Sequence, residues 1–313
     1  MINGIINVYK EKGYTSHDVV AKLRGILRQK KIGHTGTLDP EAEGVLPVCL
    51  GRATRVCDML TEKDKVYEAT LLLGKTTDTQ DMTGTVQEEK EVTCPPEQVL
   101  EVIAGFTGTQ RQIPPMYSAL KVNGRKLCDL ARAGIEVERK PREITVFSIQ
   151  VLKEELPRVR LRVHCSKGTY IRTLCHDIGQ KLGCGGCMEA LLRTRVADFK
   201  VQDAVRLAEV EAQVQAVRAH DPQKELTRED LPGLVKNTDC AFLPYPCSSV
   251  QKEFSGLLYN GNALKPEWLT EWHEEYRQTI LRLYDEKQSF AGIYRWDEKR
   301  KELKPVRMFM DLP

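Results

Sequence analysis

Hydrophobic and polar residues alternate along the chain in short blocks whose period changes from element to element. Gly4 to Tyr9 reads as a strand. Ser16 then caps a helix whose apolar positions Val19, Val20, Leu23, Ile26 and Leu27 share one face, with Lys22, Arg24, Arg28, Lys30 and Lys31 off it. Ala53 to Leu60 has helical spacing, and Val66 to Leu73 starts as an alternating strand and becomes continuously apolar. Pro95 and Pro96 open a helix through Ile103, since a first turn tolerates proline. Alternating strands follow at Ile144 to Leu152 and Val159 to His164, then a helix to about Leu182 and a short amphipathic one from Leu207 to Val217. Strands and helices interleave irregularly, which predicts an α+β fold with a mixed, largely antiparallel sheet and flanking helices. The polar run from His220 to Gly233 reads as a linker or surface loop, and from about Tyr245 short strands such as Thr279 to Tyr284 and Ser289 to Tyr294 take over. Two domains are expected, residues 1–240 and a small β-rich unit at 241–313.

Composition narrows the class only modestly. With 313 residues, 41% of them hydrophobic, the chain can bury a substantial core. A net charge of +3 and a pI near 8.2 permit a local basic surface for nucleic acid without demanding one. No run approaches the ~18 apolar residues of a membrane span, and the start leads into a strand rather than a signal peptide, so the cytosol is expected. The ten cysteines are scattered and read as reduced thiols. Cys184-Gly-Gly-Cys187 has metal or redox spacing, but no second pair stands at a matching distance, and no zinc site is expected.

The candidate chemistry lies in Gly33-His-Thr-Gly-Thr-Leu-Asp39-Pro40, continued to Gly51. One acid stands in a glycine-punctuated turn, with Pro40 biasing Asp39 away from helix; such an acid either starts the turn or is held there for a purpose. Three further blocks follow the same order as those of a known family: Lys10-Glu-Lys-Gly-Tyr-Thr-Ser-His-Asp18, Pro114-Pro-Met-Tyr-Ser-Ala-Leu-Lys121 and Gly168-Thr-Tyr-Ile-Arg-Thr-Leu174. Together the four blocks resemble the TruB family of tRNA pseudouridine synthases.

The resemblance implies the pseudouridine synthase fold with a PUA-like RNA-binding domain at the C-terminal end, where Asn260-Gly-Asn-Ala-Leu264 is the recognisable signature. It implies isomerisation of the T-loop uridine of tRNA, position 55 in the family's usage, with no metal or organic cofactor. Asp39 would be the nucleophile, attacking either the ribose or the uracil ring, with Arg172 as its cationic partner. Tyr67 would stack on the flipped base, Tyr170 would pack at its edge, Leu191 would wall the pocket, and His34 would enter the RNA loop where the base had been. Each residue also has a plainer account: a solvated arginine, core residues on strands, a turn histidine.

Candidate phosphate contacts are Lys10, Lys12, Arg24, Lys30, Lys31, Lys121, Arg125, Arg139, Lys140, Arg142, Arg193 and Arg195. Two departures from the family pattern bear on RNA binding: Glu11 where proline is usual, and Cys128 where an aromatic is common. The T-arm stem-loop of tRNA is the expected partner and a monomer the expected state. Competing readings are a tRNA-folding chaperone with incidental turnover and a guide-RNA-dependent synthase acting on ribosomal RNA.

Overall fold

The structure, a computed structural model, describes residues 1–310. Its main sheet is built from β1 (Gly4–Lys10), β2 (Glu43–Leu50), β3 (Lys65–Leu73), β4 (Gly108–Gln112), β5 (Arg142–Glu155), β6 (Arg158–Cys165) and β7 (Gly186–Val196). Their spatial order is β1-β2-β7-β3-β6-β5-β4, with short strands at 32–34, 199–200 and 235–236 completing ten. Every pairing along this path is antiparallel except β2 with β7. The mixed, largely antiparallel α+β architecture expected from the sequence is therefore present.

Two central strands carry no clear pattern in the sequence. The run of β2 is apolar on both faces, so alternation is absent, and Pro47 within it argues against a strand. Pro47 is accommodated opposite Asn7 and offers its carbonyl to the Thr35 N–H at 3.2 Å. In β7, register shifts between Met188 and Ala190 and between Arg193 and Arg195 break the period-two signal.

Helices α1 (Ser16–Leu27) and α4 (Leu207–His220) bury Val19, Leu23, Val210 and Val214 against Ile6, Val8, Leu46 and Val48. On the other half, α2 (Pro96–Ala104) and α3 (Ile171–Leu182) bury Val99, Ile103, Leu174 and Ile178 against Leu71, Val146, Leu161 and Val163. The cap of α1 differs from the expected one. Thr15 is the N-cap and forms a reciprocal capping box with Asp18, while Ser16 is buried and used elsewhere.

The C-terminal sheet runs β8 (Cys247–Ser249), β9 (Ile280–Tyr284), β10 (Phe290–Asp297) and β11 (Glu302–Met308) in that spatial order. It has its own core around Leu258, Leu264, Leu281, Tyr294 and Leu303. Phe242, Ile293 and Phe309 meanwhile join Ile5, Val45 and Val196 of the main sheet in one apolar cluster. Arg55 Nη1 also donates to the Met308 carbonyl at 2.8 Å.

Gly44 is the tightest point of the main sheet. Its φ is +104°, and a Cβ there would stand 2.3 Å from the Arg193 carbonyl oxygen. Gly13, at φ +87°, has open space around it. Gly44→Ala is expected to cost about 2–4 kcal/mol of unfolding free energy and Gly13→Ala about 1 kcal/mol, as read from urea denaturation; equal costs would refute the close-approach argument.

Candidate active site

The turn that carries Asp39 is fastened from three sides. Ser16 Oγ accepts the Leu38 N–H at 2.9 Å, Gly13 N–H donates to the Pro40 carbonyl at 2.9 Å, and Ala42 N–H closes back on the Asp39 carbonyl at 3.1 Å. Beneath it lies Lys10. Its ammonium donates to the carbonyls of Glu11, Pro40 and Ala42 at 3.1, 3.0 and 2.6 Å. With 0% of its surface exposed, Lys10 is not a phosphate contact as expected; it is an internal clamp on the Asp39 turn. Burial pulls its pKa down to about 8, with Asp39 and Glu43 opposing that shift.

Arg172, 5% exposed in the first turn of α3, grips Asp39 with a two-pronged fork: Nε to Oδ2 at 3.0 Å and Nη2 to Oδ1 at 3.2 Å. The same guanidinium donates to the Thr79 and Tyr117 carbonyls at 3.0 and 2.8 Å and faces Asp81 Oδ2 at 3.6 Å. Asp81 is itself held by the Thr79 hydroxyl at 2.7 Å and the Thr83 N–H at 3.0 Å. Arg172 is thus fixed in one orientation, and Asp39 with it. Asp39 keeps 38% of its side chain open to the pocket. Removal from water raises its pKa above the ordinary 3.8; Arg172 opposes the shift and Asp81 adds to it.

A cavity of about 540 Å³ opens at this carboxylate, with Tyr67, Tyr170, Leu191, Arg172 and Arg193 among its walls. Five of the expected site residues, Asp39, Tyr67, Tyr170, Arg172 and Leu191, therefore meet in one place. Tyr67 is buried on β3, and desolvation raises its phenol pKa against the pull of Arg193. Tyr170 precedes α3, and Gln112 holds its backbone from both sides: Nε2 to the Tyr170 carbonyl at 3.0 Å and Oε1 from its N–H at 2.8 Å. The cavity offers a fixed carboxylate, apolar and aromatic walls, and buried cationic groups, which suits nucleophilic attack on a planar substrate sheltered from water.

His34 lies outside this cavity. It lines a neighbouring basin with His17, Arg24, Lys30 and Lys31, its ring edge-on to His17 at 5.2 Å. Burial lowers its pKa, leaving a neutral ring at pH 7, and Nδ1 lies 3.0 Å from the Gly36 carbonyl. Lys121 is exposed on a small hairpin, 121–126, beyond the Ser118, Ala119 and Leu120 rim of the cavity, together with Arg125. Arg142 is exposed at the rim itself.

Two further phosphate candidates are corrected. Arg193 is buried, and Arg195 is spent on Asp64 at 2.7 Å and His164 at 3.1 Å. Glu11 is paired with Arg206 from the start of α4, which offsets its charge near the entrance. Sequence reasoning missed Asp81, Gln112 and the internal use of Ser16. All three act through the backbone or through another side chain, and no spacing rule marks them. Among the described residues no group of three His, Cys, Asp or Glu side chains could hold a metal ion. No helix is long and apolar enough to cross a membrane there, and all ten cysteines are free thiols.

Residues 24–171 match the model of the TruB family pseudouridylate synthase N-terminal domain, and residues 172–240 match the tRNA pseudouridylate synthase B C-terminal domain. A tRNA pseudouridine synthase B of Lachnoclostridium phytofermentans is 53% identical over 99% of this chain and 100% of its own. Another, from Clostridium kluyveri, is 42% identical over 99% and 100%. Among solved structures, a Cbf5-Nop10-Gar1 complex matches with a TM-score of 0.73 at 28% identity, over 98% of this chain and 85% of that one. An H/ACA RNP bound to a substrate RNA containing 2′-deoxyuridine matches with a TM-score of 0.72 at 25% identity, over the same shares.

The Asp39 carboxyl, followed by carbon-13 NMR with Asp39→Asn as the assignment control, is expected to titrate above 3.8. Arg172→Gln moves that midpoint up and Asp81→Asn moves it down; opposite movements would overturn the charge assignments. A carboxyl whose folded pKa is raised loses folding stability as pH climbs through that range. Asp39→Asn is therefore expected to unfold no earlier than the native chain at neutral pH, by thermal melt.

Proposed function

Because this chain belongs to the TruB family and isomerises uridine in tRNA to pseudouridine, we propose that its target is the T-loop uridine, position 55, and that Asp39 is the nucleophile. The observation that carries the assignment of Asp39 is the Arg172 fork, which fixes one carboxylate at the wall of a sheltered cavity. Reaching that cavity requires the base to leave its stack, at about a few kcal/mol. Tyr67 stacks on the extruded base, Leu191 closes the wall, and Tyr170 packs at its edge. His34, neutral and one basin away, fills the vacated space in the loop. Arg24, Lys30 and Lys31 in that basin, with Lys121, Arg125 and Arg142 across the cavity, contact the phosphates.

Catalysis resides in residues 1–240 and RNA gripping is shared with a PUA-like unit at 241–313; the end of the second family match at residue 240 supports that division. The enzyme works as a cytosolic monomer on naked tRNA. Relatives matched at full length and 42–53% identity are named for tRNA, whereas the H/ACA RNP and the Cbf5-Nop10-Gar1 complex stand at 25% and 28%. That difference favours the guide-independent reading over the guided one.

The test is incubation with an unmodified tRNA transcript and no guide RNA, followed by nucleoside mass spectrometry and site mapping. One pseudouridine in the T-loop, abolished in Asp39→Asn with binding kept, is the expected result. Modification elsewhere, or by Asp39→Asn, would refute the assignment, and tight binding without turnover would favour the chaperone. Affinity falls with added salt, and Lys30→Ala with Lys31→Ala lowers the log–log slope by about 0.7–0.9 for each phosphate no longer neutralised; an unchanged slope would remove the basin from the RNA path.

A further inference from the structure

Arg193 is 1% exposed and carries a full charge with no carboxylate partner among the described residues. Its Nε donates to the Val45 carbonyl at 2.7 Å, and Nη1 reaches the Thr37 carbonyl at 3.5 Å. Nη2 makes no hydrogen bond of ordinary geometry; the neutral Tyr67 phenol is its polar neighbour, and both side chains line the cavity that holds Asp39. A buried guanidinium without a counter-charge is costly, and holding the Val45 and Thr37 carbonyls does not require a charge, since neutral donors would satisfy both. Lys65, also buried, lines the same cavity and adds to the positive potential.

We propose that the charge of Arg193, acting from within the cavity wall, stabilises the detached uracil as an anion, a reading that rests on Asp39 acting in the same cavity. When the C1′–N1 bond breaks, its electron pair stays on the ring and the electron-poor C1′ is met by the Asp39 carboxylate. The base then carries one negative charge until C5 bonds to C1′ and releases Asp39. The C5 proton leaves, N1 takes one up, and no atom is gained or lost. A preorganised cation that needs no reorganisation during this interval lowers the barrier where a surface lysine would not.

The test compares single-turnover rates on two tRNA transcripts, one with uridine at the target and one with 4-thiouridine, whose thiocarbonyl makes the base anion intrinsically more stable. Arg193→Gln is expected to slow the uridine reaction by on the order of 10²-fold and the 4-thiouridine reaction by at least about tenfold less, with tRNA affinity within about threefold of native. A role confined to folding or loop positioning predicts the same loss on both substrates, and that result would overturn the proposal. If Arg193→Gln does not fold, Arg193→Lys decides. It displaces the charge, so its smaller loss must show the same dependence on the leaving base, and a loss equal on both transcripts, or none, overturns the proposal. Asp39→Asn, run alongside, is inactive on both transcripts; activity in that variant would mark the failure of the Asp39 reading instead.

Discussion

One row across the sheet fixes the site. Lys10 on β1 lies opposite Gly44 on β2, Gly44 opposite Arg193 on β7, and Arg193 opposite Tyr67 on β3. Gly44 has to be glycine because the β7 backbone crosses where its side chain would stand. That crossing is the one parallel pairing between the described strands of the main sheet, and it lets Arg193 reach back to the Val45 and Thr37 carbonyls. Lys10 reaches the Pro40 and Ala42 carbonyls from the other side. The Asp39 turn is therefore held by two long cationic side chains rooted on the strands either side of β2, which is more rigid than a loop held by its own turns.

This arrangement costs desolvation. Lys10, Lys65, Arg172 and Arg193 are all buried near the cavity; Asp39 and Asp81 face Arg172, while Glu43 stands near Lys10 and Asp64 near Lys65. Backbone carbonyls absorb much of the difference: Lys65 donates to the Thr61 and Lys63 carbonyls, both at 2.6 Å, as Lys10 does to its three. Carbonyl dipoles satisfy donors without cancelling the charge, so the cavity keeps a positive potential that a carboxylate in each contact would have removed. That field opposes the upward shift that burial imposes on Asp39, and it favours the anionic base proposed for the same cavity.

Most outer elements were legible from periodicity because each has one face in the core and one in water. Val19, Leu23 and Leu27 mark α1 in this way, and Val159, Leu161 and Val163 mark β6. The centre was not, since β2 and β7 are buried on both sides or interrupted by bulges. The site shows the same division. Asp39, Arg172, Tyr67, Tyr170 and Leu191 were readable from motif order, and the structure gathers them around one cavity. Lys10 and Arg193 were misjudged as surface cations because a basic residue in a sequence carries no sign of burial. Only the fold shows that their partners are carbonyls far along the chain.

A modest net charge is compatible with nucleic-acid binding when the positive charge is concentrated. The basin around His34 gathers Arg24, Lys30 and Lys31 with no acid among its lining residues. The segment 267–275 of the C-terminal unit, by contrast, presents Glu267, Glu271, Glu274 and Glu275 as exposed side chains. Each of these potentials reaches about a Debye length, ~8–10 Å at working salt, so the two patches act locally and not as one averaged charge. Phe242, Ile293 and Phe309 bind the two units through one apolar cluster, so both patches belong to one packed molecule. A net charge of +3 is thus a sum over patches of opposite sign, and it says little about the potential at either one.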